Sequence, residues 1–218
     1  MKTEWKKTEK NLYMPGTIPV SVMVPPMKYF CISGKGNPNE QPFQDKISIL
    51  YSLSYAVRMM PKSGLTPLGY QEYTVYPLEG IWDLTEQGRK MQTLEKDQLA
   101  YKIMIRQPDF VTDEIFGMAL DKTRKKLDGP LLDEVTFETM EDGQCVQMMH
   151  IGPFDSEPES FRRMDQYMKE QSLVRTTKTH KEIYLSDFRK TKPEELKTTL
   201  RYFVKPCELE MQPERECL

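Results

Sequence analysis

Residues 144–171 read QCVQMMHIGPFDSEPESFRRMDQYMKEQ, and a change of period inside them decides the fold class. Gln144 to His150 has the look of a strand, Gly152-Pro153 breaks it, and Phe161, Met164, Tyr167 and Met168 then recur on one helical face over 158–171. Two more strand patterns follow at 180–187 and 199–205, so the segment reads β-α-β-β. The same order appears upstream. Lys28-Tyr29-Phe30-Cys31-Ile32-Ser33 is a strand stopped by Gly34-Lys35-Gly36-Asn37-Pro38. A helix over 43–60 carries Phe43, Ile47, Leu50, Ser54 and Val57 at helical spacing and ends at Pro61 and Gly64. Strands at 71–76 and 99–106 complete this first module, separated by a polar, turn-rich stretch that holds Gly80-Ile81-Trp82. The turns also match: Gly34 to Asn37 precedes Phe43, and Gly152-Pro153-Phe154 precedes Phe161.

Between the modules, Thr112 is a candidate N-cap for a linking helix over 112–126, with Asp113 and Glu114 in its first turn. Asp128-Gly129-Pro130 closes that helix, and 131–139 reads as another strand. The expected fold is α+β: two pseudo-two-fold-related β-α-β-β modules with antiparallel sheet, helices on one side, and a ligand cleft between the modules. The expected organisation is one domain over 27–205, with repeat one at about 27–107 and repeat two at about 131–205. Residues 1–26, ending in Pro25-Pro26, read as an arm that packs on the surface or frays, and the polar, acidic tail over 206–218 as a fraying end.

Composition narrows the function classes. Charged residues are 29% of the 218, and the formal net charge is -2, with a pI near 5.9. Nucleic-acid binding draws on clustered, unpaired Lys and Arg, so this balance gives no reason to expect it. Lys2, Lys6, Lys7 and Lys10 are diluted by Glu4 and Glu9 and read as a solvated arm. No apolar run is long enough to span a membrane, and the charged N-terminus lacks a secretion signal. Cys31, Cys145, Cys207 and Cys217 are scattered and read as reduced thiols, which makes the cytoplasm the expected location. The 15 Met, 11 Tyr, 9 Phe and 2 Trp suit either an adaptable ligand pocket or an ordinary core.

The run His180-Lys181-Glu182-Ile183-Tyr184-Leu185-Ser186-Asp187 bears most on chemistry. Alternation places Ile183 with Leu185 on one face and Glu182 with Tyr184 on the other. If the apolar pair packs against the helix, Glu182 and Tyr184 look into the cleft, where a carboxylate beside a ring suits a cation or a developing positive charge. The other reading is a solvent-facing Glu182 paired with Lys181 or Lys178. Trp82, in its Gly-containing stretch, is either a lid or stacking platform at a pocket mouth or a plug at the core edge. Tyr29, Tyr73, Tyr76, Tyr202 and Phe203 lie on candidate strands, about half of them facing the cleft. His150 and His180 lack metal-ligand spacing, no nucleotide or cofactor motif occurs, and Cys31 and Cys145 read as buried inert thiols.

Lys181-Glu182-Ile183-Tyr184-Leu185-Ser186-Asp187, followed by Arg201-Tyr202-Phe203-Val204-Lys205, resembles the C-terminal signature of GyrI-like domains. His150-Ile151-Gly152-Pro153-Phe154 resembles their second-repeat turn into the helix, and Lys28-Tyr29-Phe30 leading to Gly34-Lys35-Gly36 resembles the start of the longer, standalone members. The likeness covers roughly 27–205. It implies binding of bulky aromatic or cationic compounds in an intermodule cleft whose acidic group maps to Glu182. With about 26 residues ahead of the first strand, a helix-turn-helix unit does not fit, so a standalone member is implied rather than a direct regulator. Some standalone relatives hydrolyse the cyclopropane of DNA-alkylating cyclopropanoids with an aromatic cage. By that resemblance Glu182 would position or deprotonate water, and Trp82 and Tyr184 would belong to the cage. A non-catalytic sensor or protein-interaction domain is the alternative.

Overall fold

The computed structural model describes residues 2–127 and 129–207. Two short helical turns, α1 (Trp5–Thr8) and α2 (Lys10–Tyr13), and a strand, β1 (Val20–Val24), open the chain. The first module is β2 (Met27–Lys35), α3 (Gln41–Arg58), β3 (Leu78–Leu84) and β4 (Leu99–Gln107). The helix α4 (Asp113–Arg124) and the strand β5 (Thr136–Met140) link it to the second module. That module is β6 (Gly143–Ile151), α5 (Glu157–Glu170), β7 (Leu173–Arg175), β8 (His180–Tyr184) and β9 (Lys197–Pro206).

The chain is a mixed α+β protein built on one large antiparallel sheet. Its strands run β1-β6-β9-β8-β3-β4-β2-β5, and β7 pairs with the end of β9. Strand β3 of the first module and strand β8 of the second therefore lie innermost. They pair with Glu79 opposite Ile183, Gly80 opposite Glu182 and Trp82 opposite His180. Helices α3 and α5 cover one face. Phe43, Ile47, Leu50, Leu53 and Val57 of α3 are buried, as their 3.6-residue spacing requires. On α5, Met164 and Met168 pack with Val146, Met148, Leu200 and Tyr202. Thr112 caps α4, its Oγ1 accepting from the Ile115 amide at 3.3 Å.

Four expectations need correction. Residues 71–76 do not form a strand; Tyr73 makes only an isolated bridge with Thr3, and the module's second strand lies at Leu78–Leu84. Carbonyls of the expected strand are taken by side chains instead: Arg58 Nε donates to Tyr73 O at 2.8 Å and Trp5 Nε1 to Val75 O at 3.0 Å. Gly34 is not a turn but part of β2, where a Cβ would stand 2.5 Å from the Tyr101 hydroxyl.

Of the two readings of the N-terminal segment, fraying fails: residues 2–26 pack on the sheet, and part of the segment is core. Trp5 and Tyr13 are buried and β1 pairs with β6. The sheet's second face needs cover, and it holds this segment through Gln147 Nε2 to Asn11 O, Arg201 Nη2 to Leu12 O and Thr199 Oγ1 to Tyr13 O. The strand expected over 131–139 starts later, because 130–134 forms a 3-10 turn ahead of β5. Short β7 gives no readable alternation. Asp128, and the tail beyond Cys207, lie outside the described residues. Among the described residues no helix is long and apolar enough to cross a membrane.

Candidate binding site between the helices

Strand alternation aims Leu78, Gly80 and Trp82 of β3 and His180, Glu182 and Tyr184 of β8 to the helix-covered face. Helices α3 and α5 lie apart above this central pair and leave a cavity of about 390 Å³ between them. Phe43 from α3, Phe154 and Phe161 from α5 and its preceding turn, and Phe188 from the loop after β8 complete its aromatic walls. Trp82 Nε1 donates to the Tyr184 hydroxyl at 2.7 Å. Gly80 permits this approach, since a Cβ there would stand 3.0 Å from Trp82 Nε1 and 3.3 Å from the Tyr184 oxygen. Phe43 lies 5.8 Å from Trp82, and Phe161 meets the His180 ring edge-on at 4.9 Å.

Acid groups sit inside this apolar frame. The Tyr184 hydroxyl is hydrogen-bonded to Glu182, and burial together with the Glu182 charge pushes it well above the ordinary phenol range. His180 Nε2 meets Glu182 Oε1 at 2.9 Å. Trp82, Tyr184, Glu182 and His180 thus form one connected chain of polar atoms on an aromatic floor. Glu157, at the start of α5, is only 6% exposed, and its Oε1 has no hydrogen-bond partner among the described residues. Burial first, then the charges of Glu182 and Asp155, push the Glu157 carboxyl up to about 10. The cavity therefore holds two buried carboxyl groups, of which Glu157 is pushed up by burial. Lys96, on the rim, stands 3.8 Å from Asp155, and both are largely exposed.

A family model for the GyrI-like small molecule binding domain matches residues 19–204. The chain belongs to the GyrI-like family. This GyrI-like domain is similar in structure to a hydrolase from Listeria innocua, at 35% identity and a TM-score of 0.86, over 94% of this chain and 100% of that one. An uncharacterized conserved protein from Listeria innocua is 38% identical, with a TM-score of 0.85 over 93% of this chain and all of that one. The C-terminal domain of EcmrR shares the fold alone, at 12% identity and a TM-score of 0.53, covering 89% of this chain and 99% of that domain. A search of curated proteins finds none that matches.

Within this GyrI-like domain, the three residues singled out from sequence meet at one place, but not by the route expected. Trp82 is no loop lid; it is 7% exposed, inside β3, and forms part of the floor. The helices lie on the Glu182 side of β8, and Ile183 and Lys181 face the N-terminal segment instead. Leu185 lies past the end of β8. The solvent-facing alternative for Glu182 fails, because Glu182 is 8% exposed and Lys181 is spent on Asp142 at 2.7 Å across the opposite face. Tyr29 lies there too, 5.1 Å from the Lys181 ammonium. Tyr73 and Tyr76 line a separate polar cavity with Arg106. Tyr202 stacks behind Phe161, and Phe203 opposes Cys145 on β6.

His150 is a local brace, its Nδ1 2.9 Å from Ser160 Oγ. Cys31 and Cys145 are buried thiols, each pushed up to about 12 by burial, which keeps them protonated and unreactive. Among the described residues no cluster of His, Cys, Asp and Glu could hold a metal ion. The sequence reading missed Glu157, His180 as a Glu182 partner, and the walls Phe43, Phe154, Phe161 and Phe188. A usable signal existed for two of these: Phe43 and Phe161 are the aromatic residues that follow matching turns in the two modules.

Proposed function

We propose that this GyrI-like domain takes flat, hydrophobic compounds that are cationic or electron-poor into the cavity between α3 and α5, with Glu182 as the acidic group. The observation that carries this reading is the burial of Glu182 beside Trp82 and Tyr184 with no Lys or Arg paired to it among the described residues. Its hydrogen bonds to His180 and Tyr184 hold it in place without supplying a fixed positive charge from Lys or Arg. A ligand with cationic character fits that gap, and each desolvated aromatic face adds about 0.5–2 kcal/mol.

We extend the proposal to catalysis: the cavity opens cyclopropyl-dienones by water attack. Water adds to the strained CH₂ and gives its proton to Glu182. The electron pair of the broken C–C bond moves into the dienone ring, which becomes a phenolate and then a phenol. Positive character grows on the CH₂ during this step, so rings that stabilise it act where catalysis gains from them. The likeness to a Listeria hydrolase at 35% identity supports the extension.

The test is incubation of the pure protein with a cyclopropyl-dienone, followed by chromatography. Hydroxylated phenol formed in excess over protein is expected. Stoichiometric capture without product would remove the catalytic extension and leave a binding or sensing domain.

A further inference from the structure

Glu157 is the buried group left unexplained by a cavity that merely attracts cations. It sits where α5 begins, on the cavity wall, and shares that wall with Pro158 and Phe161. The residue is 6% exposed, and its Oε1 finds no donor among the described residues. Groups around it do not neutralise it. From β8 come Glu182, His180 and Tyr184, of which Glu182 is already held by the other two. Asp155 comes from the turn before α5, and Lys96 from the loop before β4 stands against Asp155. A carboxylate placed among apolar walls and beside a second carboxylate is strongly disfavoured, whereas a carboxylic acid there has an O–H to give.

We infer that Glu157 is a neutral hydrogen-bond donor to the bound ligand, and that the cavity therefore selects flat compounds bearing a carbonyl oxygen. This deepens the reading above and rests on it: a dienone has its electron-poor carbon and its carbonyl at opposite ends of one conjugated system. The carbonyl oxygen accepts from Glu157, while the rest of the conjugated system lies over the aromatic floor of Trp82 and Tyr184. If turnover follows, the Glu157 proton goes to the oxygen that gains the electron pair, and the proton taken by Glu182 from water restores the balance through solvent. An acid kept neutral by burial and a like-charged neighbour is a recurrent device for this task.

The test compares 9-fluorenone with fluorene, which has the same flat frame but no acceptor, by titration into the wild-type protein. Fluorenone is expected to bind at least roughly tenfold tighter, as one buried hydrogen bond allows. E157A should abolish that preference and E157Q, which retains an N–H donor, should keep most of it. Raising the pH through about 10 should erode the preference in wild type and leave E157Q unaffected. Equal binding of both probes, or a preference that survives in E157A, overturns the inference while leaving the aromatic-cavity reading intact. Binding of neither probe overturns both. An infrared band for a protonated carboxyl, present at about pH 8 and lost in E157Q, is the ligand-independent check; its absence from wild type overturns the inference alone.

Discussion

The two faces of the central strand pair handle charge in opposite ways. On the face under the N-terminal segment, Lys181, Arg201, Asp142 and Glu79 form a buried cluster. Lys181 meets Asp142 at 2.7 Å and Glu79 at 3.4 Å, and Arg201 meets Asp142 at 2.9 Å. Each is almost fully buried; Asp142 is compensated by both cations, whereas neither Glu79 oxygen finds a hydrogen-bond donor among the described residues and burial pushes its carboxyl above the ordinary range. On the cavity face, one residue further along β8, Glu182 meets the His180 ring at 2.9 Å and has no Lys or Arg partner among the described residues, and burial pushes the nearby Glu157 carboxyl up. Charge compensated in place holds a fold together; charge left uncompensated inside a hollow is available to a ligand. The difference lies in what packs above each face: the N-terminal segment seals one, whereas separated helices leave the other open.

The largest expected effect tests the sealed face. Lys181→Met should destabilise the protein by about 3–5 kcal/mol in urea unfolding, since it leaves a buried acid without its partner. A loss below about 1 kcal/mol would mean that this set matters little. On the open face, Glu182→Gln should lower turnover of a cyclopropyl-dienone, or affinity for N-methylacridinium, at least tenfold, with a stability change under about 1 kcal/mol. Wild-type behaviour would return Glu182 to a bystander role. Trp82→Phe keeps a ring but removes the donor to Tyr184, so affinity for the same cation should fall by several-fold, about 1 kcal/mol; a Kd unchanged within error would separate the hydrogen bond from binding.

The smallest effect is one of slope. Glu157 has a folded-state value raised from 4.5 to about 10. Its contribution to stability is therefore fully present below about 4.5 and is lost as pH rises toward 10. E157Q should remove that decline, so its stability relative to wild type grows between about pH 5 and 9 in parallel unfolding curves. Parallel behaviour of the two proteins across this window would show that Glu157 is not held neutral. Asp142 runs the other way: burial alone would raise it, but Lys181 and Arg201 outweigh that and hold it below the ordinary range. Asp142 therefore contributes stability that is present at neutral pH and lost on acidification, whereas Glu79, raised by burial on the same face, contributes in the opposite direction.

Much of the fold was legible because its signals are local. Helical spacing placed α3, α4 and α5 to within a few residues, and the β-α-β-β order stands in the first module, whereas β7 is an additional strand in the second. The second strand of the first module was misplaced because Tyr73 and Tyr76 carry strand-like composition, but their segment packs under the N-terminus. Gly80 was read as a turn because glycine usually breaks strands; in β3 it makes room for the bond from Trp82 to Tyr184. The N-terminal segment was underestimated for a related reason: Trp5 and Tyr13 look isolated until the face they cover is known.

What the sequence determined by itself is parity. Side chains alternate every second residue, so Glu182 and Tyr184 had to share a face and Lys181 had to oppose them, whatever the fold. Which face opened into a hollow, and what joined Glu182 there, was decided only by tertiary structure. Trp82 reaches Tyr184 across 102 positions of sequence, and Glu157 arrives on a helix from outside the sheet. No local pattern encodes such meetings, because they depend on how strands β3 and β8 find each other and on the gap left between α3 and α5.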